Sequence, residues 1–283
     1  MNMRRILKSK NLVAGVILLS ILLGIILLGP LVYKVDSSQQ FAGKRNLPPQ
    51  WFTGEKGDNM FILGTDGLGR DVAIRLMIGG RLSLAISVFA VSIALTIGIV
   101  MGLFAGYYGG WIDIVLMRFT DIQLAIPVLI LAITIVAILG PNITNLIIIL
   151  GFTRWVTWAR IVRANVMQIK ELEFIKAARA IGAPPLIIIF RHILPNIVTP
   201  IIIISSQMIG FFILMEASLS FLGLGVQPPD PSWGAMIAEG RNYILVTPWN
   251  ALAPGIALMI TVLALNILGD GLRDVLDPRL KNI

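Results

Sequence analysis

The chain has 283 residues, 57% of them hydrophobic and 13% charged, with a formal net charge of +8 and no cysteine. Soluble domains carry about 25% charged residues, so this balance excludes a globular core under a solvated surface. The missing thiols exclude a disulfide framework and a thiolate metal site.

What remains is an all-α polytopic membrane protein, long enough for six spans of ~20 residues. The run from Asn11 to Tyr33 follows Arg4, Arg5, Lys8 and Lys10. It is too long for a signal-peptide core and predicts a first span at 12–33. Residues 34–81 are polar, with Pro48-Pro49 and mixed charge, and read as an external loop. Further spans are predicted at 82–106, 115–139 (through Pro127), 143–162, 196–222 and 250–270. Trp155, Trp158 and Arg160 suit a membrane interface at the end of the fourth. Gly98, Gly102 and Gly106 form two overlapping small-xxx-small steps, suited to close helix packing within the chain or to a subunit contact.

Six spans place both termini on one side. With Arg154 counted as cytoplasmic, the proposed cytoplasmic segments hold fifteen Lys and Arg against eight outside, which predicts N-in, C-in. The domain plan is therefore residues 1–33, N-terminus and first helix; 34–81, external loop; 82–272, a five-helix core with a cytoplasmic loop at 164–195; and 273–283, cytoplasmic C-terminus.

Within that cytoplasmic loop, Glu171 to Pro195 is a polar, helix-prone island between apolar stretches. Glu171, Leu172, Glu173, Lys176, Ala177, Ala178 and Arg179 favour a helix, with the two acids in its first turn. Leu172, Ile175 and Ala178 share one face, and the two alanines offer a low profile to a groove. Gly182 predicts a helix end. Pro184-Pro185 predicts a new start, with Pro195 opening the fifth span.

Lys176-Ala177-Ala178, Gly182 and Leu194-Pro195 resemble the cytoplasmic coupling loop of binding-protein-dependent ABC importer permeases. Lys176 stands where the family motif has glutamate, and His192 where isoleucine is common. GTDGLGRDV (64–72) with RLMIGGRLSL (75–84), EASLSFLGLGVQPPDPSWG (216–234) and LNILGDGLRDVLDPRL (265–280) resemble the dipeptide, oligopeptide and nickel group, in the second-permease type. The resemblance implies the type I ABC importer permease fold in the bacterial cytoplasmic (inner) membrane. It also implies a homologous second permease as heterodimer partner, two cytoplasmic ATPases and an external substrate-binding protein. Glu171, Glu173, Lys176, Ala177, Ala178, Arg179, Gly182, Leu194 and Pro195 would then couple to the ATPases. No G-x-x-x-x-G-K-[ST] loop occurs, so ATP and magnesium are expected on the partner chains and no cofactor on this one.

Glu216 lies in an apolar span, where an acid is expensive. With Ser218, Ser220 and Phe221 it is a candidate for the translocation path, or for a structural hydrogen bond. Asp66, Arg70, Asp71, Trp233 and Arg241 are candidate external docking residues, and an interfacial helix is expected near Ser232–Tyr243. No acid–base, nucleophile or metal-ligand set is apparent, so no catalytic or metal site is expected, and no nucleic-acid partner. The readings are an ATP-driven peptide importer subunit, a nickel or other small-ligand importer, or a proton-coupled secondary transporter using Glu216.

Overall fold

A computed structural model describes residues 9–33, 35–49 and 61–276. The expected cytoplasmic tails at 1–8 and 277–283, and part of the external loop at 50–60, lie outside the described residues.

Helix α1 spans Lys10–Val32, capped by the Ser9 hydroxyl. Helix α2 spans Val72–Tyr108, starting ten residues before the expected span. Asp71 caps it by accepting from the Ala73 and Ile74 amides. The charges at Arg75 and Arg81 suggested a loop, but both are satisfied by partners outside the helix. Arg75 pairs with acids, and Arg81 donates to the Ile26 and Leu27 carbonyls of α1. At 1.5 Å per residue α2 is about 55 Å long, well beyond a ~30 Å hydrocarbon core.

The third expected span is two helices. α3 (Gly110–Leu124) and α4 (Val128–Leu139) meet at 86°. Pro127 has no N–H to continue the ladder and disfavours helical geometry at Ile126. Neither limb reaches 30 Å alone, at about 22 and 18 Å.

Helix α5 (Ile143–Ile169) runs seven residues past its expected end. Trp155 and Trp158 are 4% and 0% exposed, so they pack inside the bundle rather than at an interface. The Trp158 indole donates to Ser205 Oγ at 3.1 Å. Helix α6 (Glu173–Ala180) follows. Helix α7 runs from Pro185 to Phe221, with a π-helical stretch at Ile188–Ile193. The fifth span thus begins at Pro185, and Pro195 lies inside it. Helix α8 (Trp233–Arg241) is the expected short external helix, and α9 (Trp249–Leu276) closes the bundle. Among the described residues five helices are long and apolar enough to cross a membrane, and the count is six when the bent pair α3–α4 is taken as one span.

The glycine ladder on α2 packs against α5, within the chain. A Cβ at Gly102 would lie 2.6 Å from the Ala159 carbonyl oxygen, and one at Gly106 2.7 Å from Val166 Cβ. The contact register rises together along both helices, so α2 and α5 are parallel. Helices α1 and α9 are antiparallel, with Gly15 against Leu268 and Gly271 against Leu12. Both ends of the described chain therefore lie at the end of the bundle that carries α6. That end also holds Arg160, Arg163, Lys170, Lys176, Arg179 and Arg191, which makes it the cytoplasmic end.

Candidate coupling site and external latch

The α6 elbow is closed by backbone geometry. Gly182 has φ +81°, its amide donates to Arg179 O at 2.9 Å, and the Ala183 amide donates to Ala178 O at 3.1 Å. This pair of bonds is a Schellman motif, which satisfies the last carbonyls of the helix. Nothing lies within 4 Å of a Cβ at Gly182, so glycine is needed for its dihedral angles and not for space. Pro184 caps the next helix and Pro185 occupies its first turn.

The inner face of the elbow is bolted to the bundle. Ile175 and Ala178 are buried against Leu103 of α2, Val162 and Val166 of α5, and Ile188, Ile189, Ile193 and Ile197 of α7. Seven of these nine residues are β-branched and have few rotamers to lose. The outer face carries Phe174, Ala177 and Ile181, three and four apart, with Phe174 45% and Ile181 84% exposed. The two alanines therefore divide: Ala178 faces inward and only Ala177 offers a low outer profile. Sequence reading missed Phe174 and Ile181, although the i, i+3, i+7 spacing opposite Ile175 carries them.

Glu171 and Lys176 form an exposed ion pair at 3.4 Å, of small energetic weight. The Arg179 guanidinium stacks 4.9 Å from the Tyr107 ring, and Lys170 Nζ donates to Gly106 O at 2.9 Å. Glu173 is exposed in the first turn, Pro195 is exposed on α7, and Leu194 is half-buried beside it. One level up, α3 is tied to α5 by ion pairs. Arg163 grips Asp113 with both prongs, Nη2 to Oδ2 at 2.6 Å, and Arg160 meets Asp121 at 2.6 Å.

At the opposite end, four of the five expected docking residues turn out to be internal. Asp66 and Arg70 are 8% exposed, Asp71 0% and Trp233 1%. Polar and aromatic composition suggested a surface, but mutual pairing lets these groups be buried. Arg70 and Arg75 both bond Asp66, and both reach Glu239 on α8 at 2.7 and 3.0 Å. This quartet latches the 61–71 segment to α8 and lines a cavity of about 310 Å³. The Asp66 carboxyl is subject first to burial, which alone would raise its pKa. The Arg70 amide and the Arg75 and Arg70 guanidiniums outweigh burial and hold it below its ordinary value. Burial dominates at Asp71 and raises its pKa despite bonds from Tyr33, Ile74 and Ala73. The Tyr33 hydroxyl donates to Asp71 at 2.5 Å, and its own pKa is raised by burial and by that carboxylate. The Trp233 indole donates to Leu76 O at 2.9 Å. Arg241 is exposed over the Phe221 ring, at 5.2 Å.

Glu216 is fully enclosed. Ser220 Oγ donates to its Oε1 at 2.6 Å, with Ser83 and Ser232 beside the carboxyl. The one hydrogen bond to the carboxyl among the described residues thus comes from α7 itself, and its Oε2 is buried without a partner. Ser218 faces outward and bonds only the Leu214 carbonyl, and Phe221 is half-buried.

The profile of the family described as binding-protein-dependent transport system inner membrane component matches residues 98–282. The chain belongs to this family of permeases. The N-terminal membrane domain of oligopeptide transport permease C matches residues 1–49. The permease is 42% identical over 279 residues to the dipeptide transport system permease protein DppC of Alkalihalophilus pseudofirmus, covering 99% of this chain and 89% of that one. It is 49% identical over 218 residues to the glutathione transport system permease protein GsiD of Escherichia coli O6:K15:H31, covering 77% and 72%. Its fold resembles the MetNI methionine ABC transporter in inward-facing conformations, with TM-score 0.55 and 20% identity over 71% of this chain and 96% of that one. The permease is thus a multi-pass protein of the bacterial cytoplasmic membrane with the type I ABC importer permease fold.

Proposed function

We propose that this permease is the channel-forming, non-catalytic subunit of an ATP-driven importer of small peptides, paired with a second, homologous permease. The observation that supports it most is the elbow: a Schellman-closed helix, anchored by Ile175 and Ala178, that presents Phe174, Ala177 and Ile181 outward at the cytoplasmic end. Such a surface suits a groove on a cytoplasmic ATPase. Load on α6 passes to α5 and α7 through the aliphatic cluster around Ile175 and Ala178 without slack, because packed cores do not deform continuously. ATP and magnesium belong to the two partner ATPases, and an external binding protein delivers the substrate. Among the candidate coupling residues, Glu171, Glu173, Lys176, Ala177 and Arg179 would meet the ATPase. Ala178, Gly182, Leu194 and Pro195 would hold the elbow's shape.

Peptide as substrate is supported by the dipeptide and glutathione permeases among the relatives. Nickel is less favoured, since these relatives are named for dipeptide and glutathione transport. In the proton-coupled alternative Glu216 would have to exchange protons with water, yet it is fully enclosed.

The test is reconstitution with the second permease, both ATPases and the binding protein in vesicles. Dipeptide uptake should require ATP and the binding protein, and be indifferent to an imposed pH gradient. Uptake driven by a pH gradient without ATP overturns the reading.

A further inference from the structure

Arg154 sits about 16 Å along the 27-residue helix α5, near the middle of its crossing. Its Nε is buried with no acceptor, and no hydrogen bond or ion pair reaches its guanidinium among the described residues. The one compensation is the Phe211 ring of α7, 4.1 Å away. The residue as a whole is half-buried, and ring stacking supplies no acceptor for its N–H donors. Arg160 and Arg163, six and nine residues further along the same helix, are both paired with acids.

Arg154 lines a cavity of about 150 Å³ at the α3–α4 break, with Gln123, Pro127, Thr153 and Thr157. Irregular backbone at membrane depth is tolerated where it is buried in protein or lines an aqueous cavity. An uncompensated guanidinium beside such a break is a carboxylate receptor without its carboxylate, since the guanidinium fork matches carboxylate geometry.

We infer that Arg154 is a substrate-contacting residue of the translocation path, which takes the C-terminal carboxylate of a peptide as it passes the α3–α4 break. This rests on the peptide reading above. It assigns to the path a residue other than Glu216, and makes the free carboxylate a selected feature of the cargo.

The chain has no cysteine, so Arg154→Cys gives a single reactive position on it. The full complex in vesicles is assayed with radiolabelled dialanine, before and after treatment with aminoethyl, hydroxyethyl and sulfonatoethyl methanethiosulfonates. The wild-type complex treated in the same way corrects for cysteines of the partners. Expected is a fall in uptake of about tenfold, the loss of one charge-assisted bond, with binding-protein-stimulated ATPase retained. The aminoethyl adduct should restore uptake to within about threefold of wild type, and the neutral and anionic adducts should not. Arg154→Lys should keep most uptake and Arg154→Gln should lose it.

Wild-type uptake in Arg154→Cys, equal rescue by all three reagents, or an unreactive thiol overturns the assignment. So does loss of the second permease on purification of Arg154→Gln, which would make Arg154 a partner ion pair instead. Absence of dialanine uptake by the wild-type complex is a different failure: it removes the peptide reading, and the carboxylate assignment falls with it.

Discussion

Gly182 offers the sharpest test of the elbow, because its substitution acts through one physical variable. Its φ is +81° and no atom lies within 4 Å of an added Cβ. A side chain there meets no clash, so the whole penalty is the left-handed backbone. That penalty is ~1–2 kcal/mol for most residues, worst for a β-branched one, and small for asparagine. Gly182→Val at ~2 kcal/mol would shift the balance between closed and unwound elbow by roughly 30-fold. Gly182→Asn should shift it little, and Gly182→Ala should fall between. Ile175 and the rest of the buried cluster are untouched, so insertion and copurification with the second permease should be unchanged. The assay is peptide uptake and binding-protein-stimulated ATPase of the reconstituted complex. Both should fall in the order Asn, Ala, Val. Equal activity in all three variants would refute the claim that the closed elbow transmits the work. A parallel loss of membrane insertion would refute the claim that the effect is local.

Arg75→Ala leaves Asp66 and Glu239 facing each other with one guanidinium fewer, and should destabilise the purified complex by ~3–5 kcal/mol, read as thermal unfolding. Because Asp66 titrates below its ordinary 3.8, its stabilisation is full above that pH and lost only as pH falls through the lower folded value. The thermal gap between wild type and Asp66→Asn should therefore hold from pH 7 to about pH 4, and a gap that closes by about pH 6 would contradict the latch. Asp71→Ala removes the cap of α2 and should cost ~1 kcal/mol or somewhat more, whereas Asp71→Asn, which keeps a capping oxygen, should cost less in the same measurement. Gly102→Leu would force α2 away from α5 and should cost at least ~1–3 kcal/mol, with loss of folded complex on size-exclusion chromatography.

Hydropathy found the helices because an apolar run of this length leaves the chain few options. It misplaced their ends wherever charge was neutralised by a distant partner. The start of α2 was hidden by Arg75, whose counter-charge Glu239 lies 164 residues away. The external residues Asp66, Arg70 and Asp71 were misread as surface because ion pairing among neighbours and helix capping let them be buried. The break at Pro127 was visible as a residue but not as an outcome, since a neighbouring helix can rescue a proline and here the chain bends by 86° instead. The elbow was the most legible part, because a Schellman close at Gly182 and a restart at Pro184-Pro185 depend on local backbone chemistry alone. Which alanine faced the bundle depended on packing with α2, α5 and α7, and sequence spacing alone left Ala177 and Ala178 together on one face.

The two ends of the bundle are built from different materials, and the difference bears on how they would work. The cytoplasmic elbow rests on a cluster of branched aliphatics, whose contacts are non-directional and survive small rotations of a helix. The external latch rests on two arginines and two acids with fixed fork geometry. Such pairs lose most of their energy once one member moves out of reach, because the partner is left buried and alone. An alternating-access cycle needs a joint that stays closed while it moves and a gate that has two discrete positions. The aliphatic elbow suits the first task and the ionic latch the second. Between them, α3 is coupled to α5 through Asp113–Arg163 and Asp121–Arg160, so motion of α5 carries the limb of the broken crossing that Arg154 faces. On this argument the order of events runs from α6 to α5, then to the α3–α4 break, and last to the latch at α8.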